Sequence, residues 1–398
     1  MKYATRLNRL GTETAFAVGA QAAELAAQGK KVYPFHLGDL NIKTPENIIR
    51  AAVNAMNLGK TGYCPTPGIK ELRTVLADDV GQARDISLNF KNVSIQPGGK
   101  PVIGKFIQVL MDQEDEVLYP NPGYPIYESM INYYGGKAVP YGFKETGSGF
   151  ALDFDQIESK ITPKTTIFIY NNYQNPMGAS STDEEMQKLA DFCKKHDLYV
   201  LSDEAYFDMI YSGKGKSISS LPGMKDRTVI LYTFSKKYAM TGWRLGAAIG
   251  PEEIIEKISK LNVNDESCSN HFVQYAGIEA LKGSQEKSKE IINILKKRRD
   301  KAVNLLNSMH GVSVFKPECT FYLFPNVTGA MKKMGIDSVE EFRENVLKNT
   351  GVSFCTREHF GTPLPGEKDY YIRLAYSGIN VDQIGEGLTK MKKFIESY

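Results

Sequence analysis

Short apolar runs and helical periods alternate along the middle of the chain. The apolar runs predict strands at Val93–Gln96, Asp115–Leu118, Thr165–Tyr170, Leu198–Leu201, Thr228–Phe234 and Gly246–Ile249. Apolar residues at helical spacing predict helices over Lys100–Met111, Tyr124–Tyr134 and Glu184–His196. A nearly continuous apolar run such as Thr165–Tyr170 is typical of a strand buried on both faces. Strands that alternate with helices therefore predict an α/β fold with a mostly parallel sheet covered by helices on both sides.

The pattern changes after Gly283, where one long and highly charged helix is predicted over Ser284–Met309. Shorter elements follow it, with strands at Val312–Phe315, Phe321–Phe324, Val352–Cys355 and Tyr371–Ala375 and helices at Val339–Lys348 and Val381–Ser397. This mixture predicts a smaller α+β domain, against which we expect the first ~45 residues, helical over Ala15–Gln28, to pack. The predicted division is a large domain of residues 46–283 and a small domain of residues 1–45 plus 284–398.

Charge and composition exclude several classes of protein. Among 398 residues, 49 Lys and Arg face 46 Asp and Glu, and no basic stripe marks a dedicated nucleic-acid binder. No apolar run approaches the ~18 residues that a membrane span needs. The five cysteines are scattered and form no CxxC pair. They predict a reducing compartment, the cytoplasm, and neither they nor the five histidines predict a metal site.

The end of one predicted strand carries a lysine and an arginine. Lys236 follows the strand Thr228–Phe234 and stands beside the hydroxyls of Thr233 and Ser235. Ligands of open α/β sheets bind at the carboxyl ends of the strands, and a desolvated lysine is an amine nucleophile for carbonyls. Arg244, eight residues later, suits bidentate contact with a phosphate or carboxylate. The alternative is an exposed lysine pair with a surface arginine.

Two further strand ends carry polar groups. Asp203 closes the strand Leu198–Leu201 with Tyr206 three residues on, and Asn175 lies in an Asn-Pro turn after Thr165–Tyr170. A carboxylate that closes a buried strand is expensive unless it meets a cation such as a protonated ring nitrogen. The alternative for Asp203 is the N-cap of a helix.

The fourth strand end is glycine-rich. Gly98, Gly99 and Lys100 open a helix, where backbone N–H groups can approach an anion. The run from Gly99 to Lys105 reads G-x-x-x-x-G-K, but Phe106 stands where a P-loop has Ser or Thr. No G-x-G-x-x-G follows a strand, so the fingerprint of a dinucleotide-binding fold is missing as well.

Taken together and in their order along the chain, the four strand ends resemble those of the class I/II aminotransferases, which are fold-type I pyridoxal-phosphate enzymes. The resemblance is closest to the gamma subgroup of aspartate aminotransferases. It runs from Gly38-Asp39 and Thr44-Pro45 through Gly62-Tyr63, Asn121-Pro122, Asn175-Pro176 and Ser235-Lys236 to Arg373, and the segment 239–246 is its most specific part. It implies a seven-stranded, mostly parallel large-domain sheet and pyridoxal 5′-phosphate as cofactor.

The resemblance also implies roles around the cofactor ring. Lys236 is expected to form the imine (Schiff base) with the cofactor aldehyde and to move the proton between Cα and the cofactor. Asp203 is expected to pair with the pyridinium nitrogen. Tyr206 and Asn175 are expected to hydrogen-bond the ring O3′, and Tyr124 to stack on the ring.

Further roles concern the phosphate and the substrate. The phosphate is expected to meet the N–H groups of Gly99 and Lys100, the hydroxyls of Thr233 and Ser235, and Arg244. Tyr63 is expected to reach the phosphate of a neighbouring subunit, which implies a homodimer with shared active sites. Arg373 matches the arginine that holds the substrate α-carboxylate, and Gly38 and Asn175 are also expected at the substrate site.

Substrate preference stays open at the level of the sequence. In the resembled subgroup a lysine at the place of Lys100 can receive a side-chain carboxylate; alternatively, Lys100 only solvates a helix start. Glu13 is expected near the pocket and would repel a second carboxylate. Tyr173 and Met177 depart from the family pattern and could favour an apolar or aromatic side chain.

We predict an aminotransferase that moves the amino group of an L-amino acid to a 2-oxo acid such as 2-oxoglutarate by a ping-pong mechanism. Aspartate is narrowly ahead of alanine and aromatic amino acids as donor. A lyase or decarboxylase of the same fold shares every cofactor contact and is the main alternative. A non-enzymatic regulator would need an appended DNA-binding segment, which we do not expect because the chain starts and ends where the catalytic family does. No nucleic acid, membrane or metal partner is predicted.

Overall fold

The computed structural model describes residues 1–11 and 15–398. Its helices are α1 (Ala15–Ala27), α2 (Glu46–Asn57), α3 (Lys70–Arg84), α4 (Lys100–Leu110), α5 (Ile126–Tyr134), α6 (Phe154–Ser159), α7 (Asp183–Lys195), α8 (Glu252–Asn264), α9 (His271–Lys282), α10 (Glu286–Leu306), α11 (Thr328–Met334), α12 (Val339–Thr350) and α13 (Val381–Glu396). Its strands are β1 (Tyr33–Pro34), β2 (Val93–Gln96), β3 (Glu116–Pro120), β4 (Lys137–Tyr141), β5 (Phe143–Glu145), β6 (Phe150–Leu152), β7 (Thr165–Tyr170), β8 (Tyr199–Asp203), β9 (Thr228–Thr233), β10 (Gly246–Ile249), β11 (Tyr322–Leu323), β12 (Val352–Ser353), β13 (Cys355–Thr356) and β14 (Ile372–Ala375).

Seven strands form the main sheet in the order β2-β10-β9-β8-β7-β3-β4. Strand β10 runs antiparallel to both of its neighbours, and the other neighbouring pairs are parallel. This arrangement confirms the predicted α/β class with a mostly parallel sheet. It also brings the carboxyl ends of β3, β7, β8 and β9 to one edge.

Apolar helix faces cover both sides of the main sheet. Helices α4, α5 and α8 share a core with one face of β3, β7, β8 and β9. Helices α2, α3 and α9 pack on the opposite face beside β2, β9 and β10, and α6 and α7 pack further along it. Because the central strands are buried on both faces, they read as unbroken apolar runs in the sequence.

A second group of elements surrounds a three-stranded antiparallel sheet of order β11-β14-β13. Strand β1 pairs in parallel with β12, and helices α10 to α13 share one apolar core with these strands. The N-terminal segment thus joins the C-terminal part of the chain through β1. The domain boundaries at residues 46 and 283 stay a prediction.

The structure differs from the sequence expectations at one predicted strand and contains further elements that were not predicted. The predicted strand Val312–Phe315 is wrong, because the Asn307 side chain bonds both the N–H and the C=O of Val314, and only Ser313 forms an isolated bridge, to Asn326. Helices α2, α3, α6, α8, α9 and α11 and strands β1, β4, β5 and β6 were not individually predicted. Glu13, which was expected near the pocket, lies outside the described residues. In the part of the chain that the structure describes, no helix combines the length and apolar character that a membrane crossing requires.

Candidate active site

A pocket of about 490 Å³ opens at the carboxyl edge of the main sheet. The residues predicted for the site that line it are Gly38, Gly99, Lys100, Tyr124, Asn175, Asp203, Tyr206, Thr233, Ser235, Lys236, Arg244 and Arg373. They come from several strand ends and from the second group of elements. The topology therefore gathers residues that are up to hundreds of positions apart in the sequence.

Asp203 is the last residue of β8 and is 6% exposed. Its Oδ2 accepts a 2.5 Å hydrogen bond from the Tyr127 hydroxyl, and its Oδ1 accepts one of 3.1 Å from the Ala205 N–H. Burial raises the pKa of Asp203, and the Tyr127 bond offsets this only in part. A cation in the pocket would favour the ionised carboxylate.

Lys236 follows β9 and projects into the same pocket. Its Nζ donates a 2.9 Å hydrogen bond to the Gly38 carbonyl and lies 5.4 Å from the centroid of the Phe321 ring. The segment after it holds two non-glycine residues in the left-handed region, Ala239 with φ 52° and Arg244 with φ 54°. Such backbone strain is concentrated at functional sites.

The glycine-rich turn between β2 and α4 lies against Arg244. Gly98 has φ 101°, and a Cβ built there would be 2.3 Å from an Arg244 Nη atom, so the arginine packs directly on the turn. A Cβ on Gly99 would approach Leu231 to 2.8 Å and Thr233 to 3.3 Å. The turn, the arginine and the first N–H groups of α4 form a cradle for an anion.

Two hydroxyls complete this cradle at the end of β9. Thr233 Oγ1 donates to Ser235 Oγ over 2.8 Å and accepts from the Ser235 N–H over 3.2 Å. Both residues line the pocket beside Arg244. Charge-assisted bonds from such a set are the ones that hold phosphate most strongly.

Tyr206 and Tyr322 share a hydrogen bond of 2.6 Å between their hydroxyls. Burial, with the neighbouring Tyr322, holds the pKa of Tyr206 well above its usual value, so the hydroxyl stays protonated and can donate. Gly38 lies beside this pair, where a Cβ would be 2.1 Å from the Tyr322 hydroxyl oxygen. Only glycine fits there without movement of Tyr322.

Arg373 reaches the pocket from β14 and is 4% exposed. Its Nη1 donates to Asn175 Oδ1 over 3.0 Å, and its Nη2 donates to the His36 carbonyl over 2.6 Å. The guanidinium carbon lies 4.6 Å from the Tyr322 ring centroid and 4.5 Å from that of Phe360. Its Nε finds no acceptor among the described residues. A planar carboxylate suits this fork.

The charges of the pocket favour anionic ligands. Among the described lining residues, Lys100, Lys236, Arg244 and Arg373 are basic, whereas Asp39 and Asp203 are acidic. Lys100 Nζ lies 5.8 Å from the centroid of the Tyr124 ring, and the Tyr124 and Tyr127 rings meet edge to face at 5.8 Å. The pocket therefore combines aromatic faces with an excess of cations.

Some expected residues lie elsewhere. Tyr63 is 89% exposed and does not line the pocket of its own chain. Tyr173 and Met177, which could favour an apolar or aromatic side chain, do not line this pocket. The Tyr173 hydroxyl accepts from the Lys216 N–H over 2.6 Å, and Met177 lines a different cavity.

Tyr127, Tyr322 and His359 are among the pocket residues that the sequence did not predict. Tyr127 follows Tyr124 by three residues, so helical spacing could have placed it near the same site. Burial lowers the pKa of His359, whose Nδ1 lies 2.7 Å from the Thr356 hydroxyl. No sequence signal marks Tyr322 or His359.

Comparison with known proteins places this architecture among characterised relatives. Residues 30–391 match the family model described as aminotransferase class I and II. The chain is 34% identical to an aspartate aminotransferase of Bacillus subtilis (strain 168) over 401 residues, which covers 100% of both chains. It is 33% identical to a probable aspartate/prephenate aminotransferase of Aquifex aeolicus (strain VF5), covering 99% of this chain and 98% of that one. An alanine aminotransferase structure from Pyrococcus furiosus superposes with a TM-score of 0.90 at 28% identity, with 100% of both chains covered.

Proposed function

The chain belongs to the aminotransferase class I and II family and is a pyridoxal-phosphate-dependent aminotransferase of fold type I, and we propose that it transfers the amino group of an L-amino acid to a 2-oxo acid such as 2-oxoglutarate. The proposal covers a ping-pong sequence of two half-reactions, with aspartate as the preferred donor. The observation that carries it is that Lys236 and Arg373 line one pocket. An amine and a carboxylate receptor are thereby available to the same amino acid.

The pocket residues fit the cofactor. The glycine turn, the Thr233 and Ser235 hydroxyls and Arg244 suit a phosphate, and the buried Asp203 suits a ring cation. Tyr124 offers an aromatic face, and Tyr206 with Asn175 offers hydrogen-bonding groups for a ring oxygen. When bound, pyridoxal phosphate supplies an aldehyde carbon for the amino group and a ring that stabilises negative charge at Cα.

The residues of the chain divide the remaining work. We propose that Arg373 binds the α-carboxylate through two parallel hydrogen bonds and so fixes the orientation of the amino acid. With the cofactor bound, Lys236 Nζ would take the proton from the substrate Cα and deliver it to the cofactor carbon that bears the amino group. The Tyr206 hydroxyl would donate a hydrogen bond to the ring oxygen, and the hydrogen bond to Tyr322 holds Tyr206 in place. Gly38 leaves room for the substrate beside them.

The proposed preference for a dicarboxylic donor rests on Lys100. It lines the pocket at the start of α4, where its charge can meet a second carboxylate. Tyr173 and Met177, which could favour an apolar donor, do not line this pocket, and this supports the same preference.

A homodimer with shared active sites is the proposed assembly. Tyr63 is exposed, and the preceding stretch also exposes Val53, Met56 and Leu58, with Leu58 at 75% and Tyr63 at 89%. Contiguous exposed apolar residues mark interaction sites. We propose that this surface packs on a second copy and directs Tyr63 to the phosphate of that copy.

Half-reaction rates with aspartate, alanine, methionine and phenylalanine test the proposal. We expect aspartate to convert the enzyme-bound cofactor fastest and to require a 2-oxo acid for turnover. Equal and slow rates with all four donors would contradict the donor assignment. Loss of more than one equivalent of substrate per active site without any 2-oxo acid would instead indicate a lyase or decarboxylase.

A further inference from the structure

A buried ion pair lies directly behind the active-site turn. Arg84, the last residue of α3, donates from Nε to Glu204 Oε2 over 2.6 Å, and both side chains are 1% exposed. Glu204 follows Asp203 in the chain. Successive residues of a strand point to opposite faces, so Asp203 meets Tyr127 on the α5 side and Glu204 meets Arg84 on the α3 side.

Both carboxylate oxygens of Glu204 accept hydrogen bonds on the α3 side of the sheet. Its Oε1 accepts hydrogen bonds from Ser202 Oγ over 2.9 Å and from Ser217 Oγ. Its backbone N–H donates to the Leu231 carbonyl over 3.2 Å. This carboxylate therefore ties the residue after Asp203 to β9, to the loop at Ser217 and to α3.

Arg84 contacts the same turn at a second point. Its guanidinium carbon lies 3.7 Å from the centroid of the Phe207 ring, and the Phe207 N–H donates to the Glu204 carbonyl over 3.0 Å. Residues 204 and 207 bracket Tyr206, and residue 204 adjoins Asp203. Arg84 thus contacts both ends of the segment 204–207. This segment contains the pocket residue Tyr206 and directly follows the pocket residue Asp203.

The pair is poorly explained by stability alone. Buried ion pairs are costly to desolvate, and well-packed apolar replacements are often as stable or more stable. Arg84 Nη2 also has no hydrogen-bond partner among the described residues. The pair instead fixes the position of the backbone and side chains around it. Side chains that bind a ligand do so well only when the residues packed around them hold them in the productive orientation.

Building on the pyridoxal phosphate site proposed above, we infer that Arg84 and Glu204 are positioning residues that hold the turn from Asp203 to Tyr206 in the orientation the cofactor ring requires. They touch neither cofactor nor substrate. We expect their effect on the ring side of the site and not on the phosphate cradle, which is formed by the turn after β2, the end of β9 and the segment that follows β9.

The affinities for pyridoxal phosphate and for inorganic phosphate distinguish a positioning role from a general loss of stability. Apo protein is titrated with pyridoxal phosphate, and inorganic phosphate is measured by its competition with that binding. In Arg84→Met and Glu204→Gln we expect pyridoxal phosphate to bind about tenfold more weakly, as loss of outer partners does at metal sites. The affinity for inorganic phosphate is expected to stay unchanged.

The double variant Arg84→Met/Glu204→Gln has no unpaired buried charge. We expect it to regain thermal stability relative to the single variants but not to regain affinity for pyridoxal phosphate. Arg299→Met is the matched control, because Arg299 is 1% exposed and bonds Asp300 and the Pro317 carbonyl, which do not line the pocket. It is expected to lose stability with unchanged cofactor affinity.

Three results would overturn the inference: unchanged cofactor affinity in the folded single variants, an equal loss for both probes, or recovery of cofactor affinity in step with stability in the double variant. Should Arg84→Met not fold, Arg84→Lys makes the same comparison, since lysine keeps the charge but cannot hold Glu204 and cover Phe207 together. The readout is cofactor binding, so failure of the amino-transfer assay would leave this test intact.

Discussion

Arg373 donates a 3.0 Å hydrogen bond from Nη1 to Oδ1 of Asn175. The bond joins two parts of the fold, because Arg373 lies on β14 of the three-stranded sheet and Asn175 lies in the turn that follows β7 of the main sheet. The bond therefore links the proposed carboxylate receptor to a proposed cofactor ligand. We therefore expect a substitution at either residue to alter the position of the other side chain.

Arg373→Lys tests the carboxylate receptor. Lysine keeps the positive charge but loses the planar fork, and bonds to charged groups contribute about 1.5–3 kcal/mol each. We expect kcat/KM for the amino donor to fall about 10- to 100-fold, with pyridoxal phosphate affinity changed far less. Steady-state kinetics and cofactor titration measure the two effects. Arg343→Lys, at a buried arginine paired with Glu340, is the matched control and should leave kcat/KM unchanged.

Arg244→Met tests the phosphate cradle. The variant loses the cation that packs on Gly98, so pyridoxal phosphate should bind about 10- to 100-fold more weakly. Pyridoxal, which lacks the phosphate, should bind with the same affinity as it does to the unmodified protein. Calorimetric titration with both ligands checks this. A parallel loss for pyridoxal would show that Arg244 does not act through the phosphate.

Gly38→Ala tests the close approach to Tyr322. A Cβ 2.1 Å from the Tyr322 hydroxyl oxygen forces that ring to move, and overpacking of this kind costs about 1–3 kcal/mol. We expect a lower free energy of unfolding in urea for Gly38→Ala, with partial recovery in Gly38→Ala/Tyr322→Phe. If the Tyr322→Phe change brings no recovery, the loss has a cause other than this contact.

His36 is expected to make the folded protein sensitive to acid. Burial, with a smaller effect of Arg373, lowers the pKa of His36 from 6.5 to about 4. The unfolded chain therefore binds a proton more readily than the folded one between these values, so stability is lost as the pH falls from 6.5 toward 4. The difference of 2.5 pH units corresponds to about 3 kcal/mol.

Urea unfolding of His36→Gln between pH 7 and pH 4 measures that contribution. We expect the variant to lose less stability on acidification than the unmodified protein, by an amount approaching the figure above. His310→Gln, at an exposed histidine, should reproduce the unmodified profile. Identical acid profiles for His36→Gln and the unmodified protein would contradict the assignment.

The sequence was most informative where the chemistry follows from topology. Asp203, Thr233 and Lys236 lie at the ends of apolar runs, and parallel strands bring such ends together, so their shared pocket was predictable. Tyr322 and His359 enter from the second group of elements. Their direction depends on how that group packs on the main sheet, which local periodicity does not encode.

Tyr173 and the segment Val312–Phe315 show a second limit. Tyr173 departs from the family pattern and could favour an apolar or aromatic substrate side chain, but its hydroxyl is bonded to the Lys216 backbone. The apolar alternation of Val312–Phe315 favoured a strand, but the Asn307 side chain occupies the backbone groups of Val314. Specific side-chain to backbone bonds competed with the general pattern in both cases.

The central claim is that the Lys236 amine carries the cofactor in this pocket, and borohydride trapping tests it most directly. The purified protein is loaded with pyridoxal phosphate, and its near-ultraviolet and visible spectrum is recorded before and after addition of an amino donor. A sample without donor is reduced with borohydride and digested for mass spectrometry. We predict a donor-sensitive absorption band, with the cofactor mass on Lys236 in the unmodified protein and in Lys237→Ala, and no trapped cofactor in Lys236→Ala. Equal trapping in Lys236→Ala, or a label on another lysine, would contradict the account.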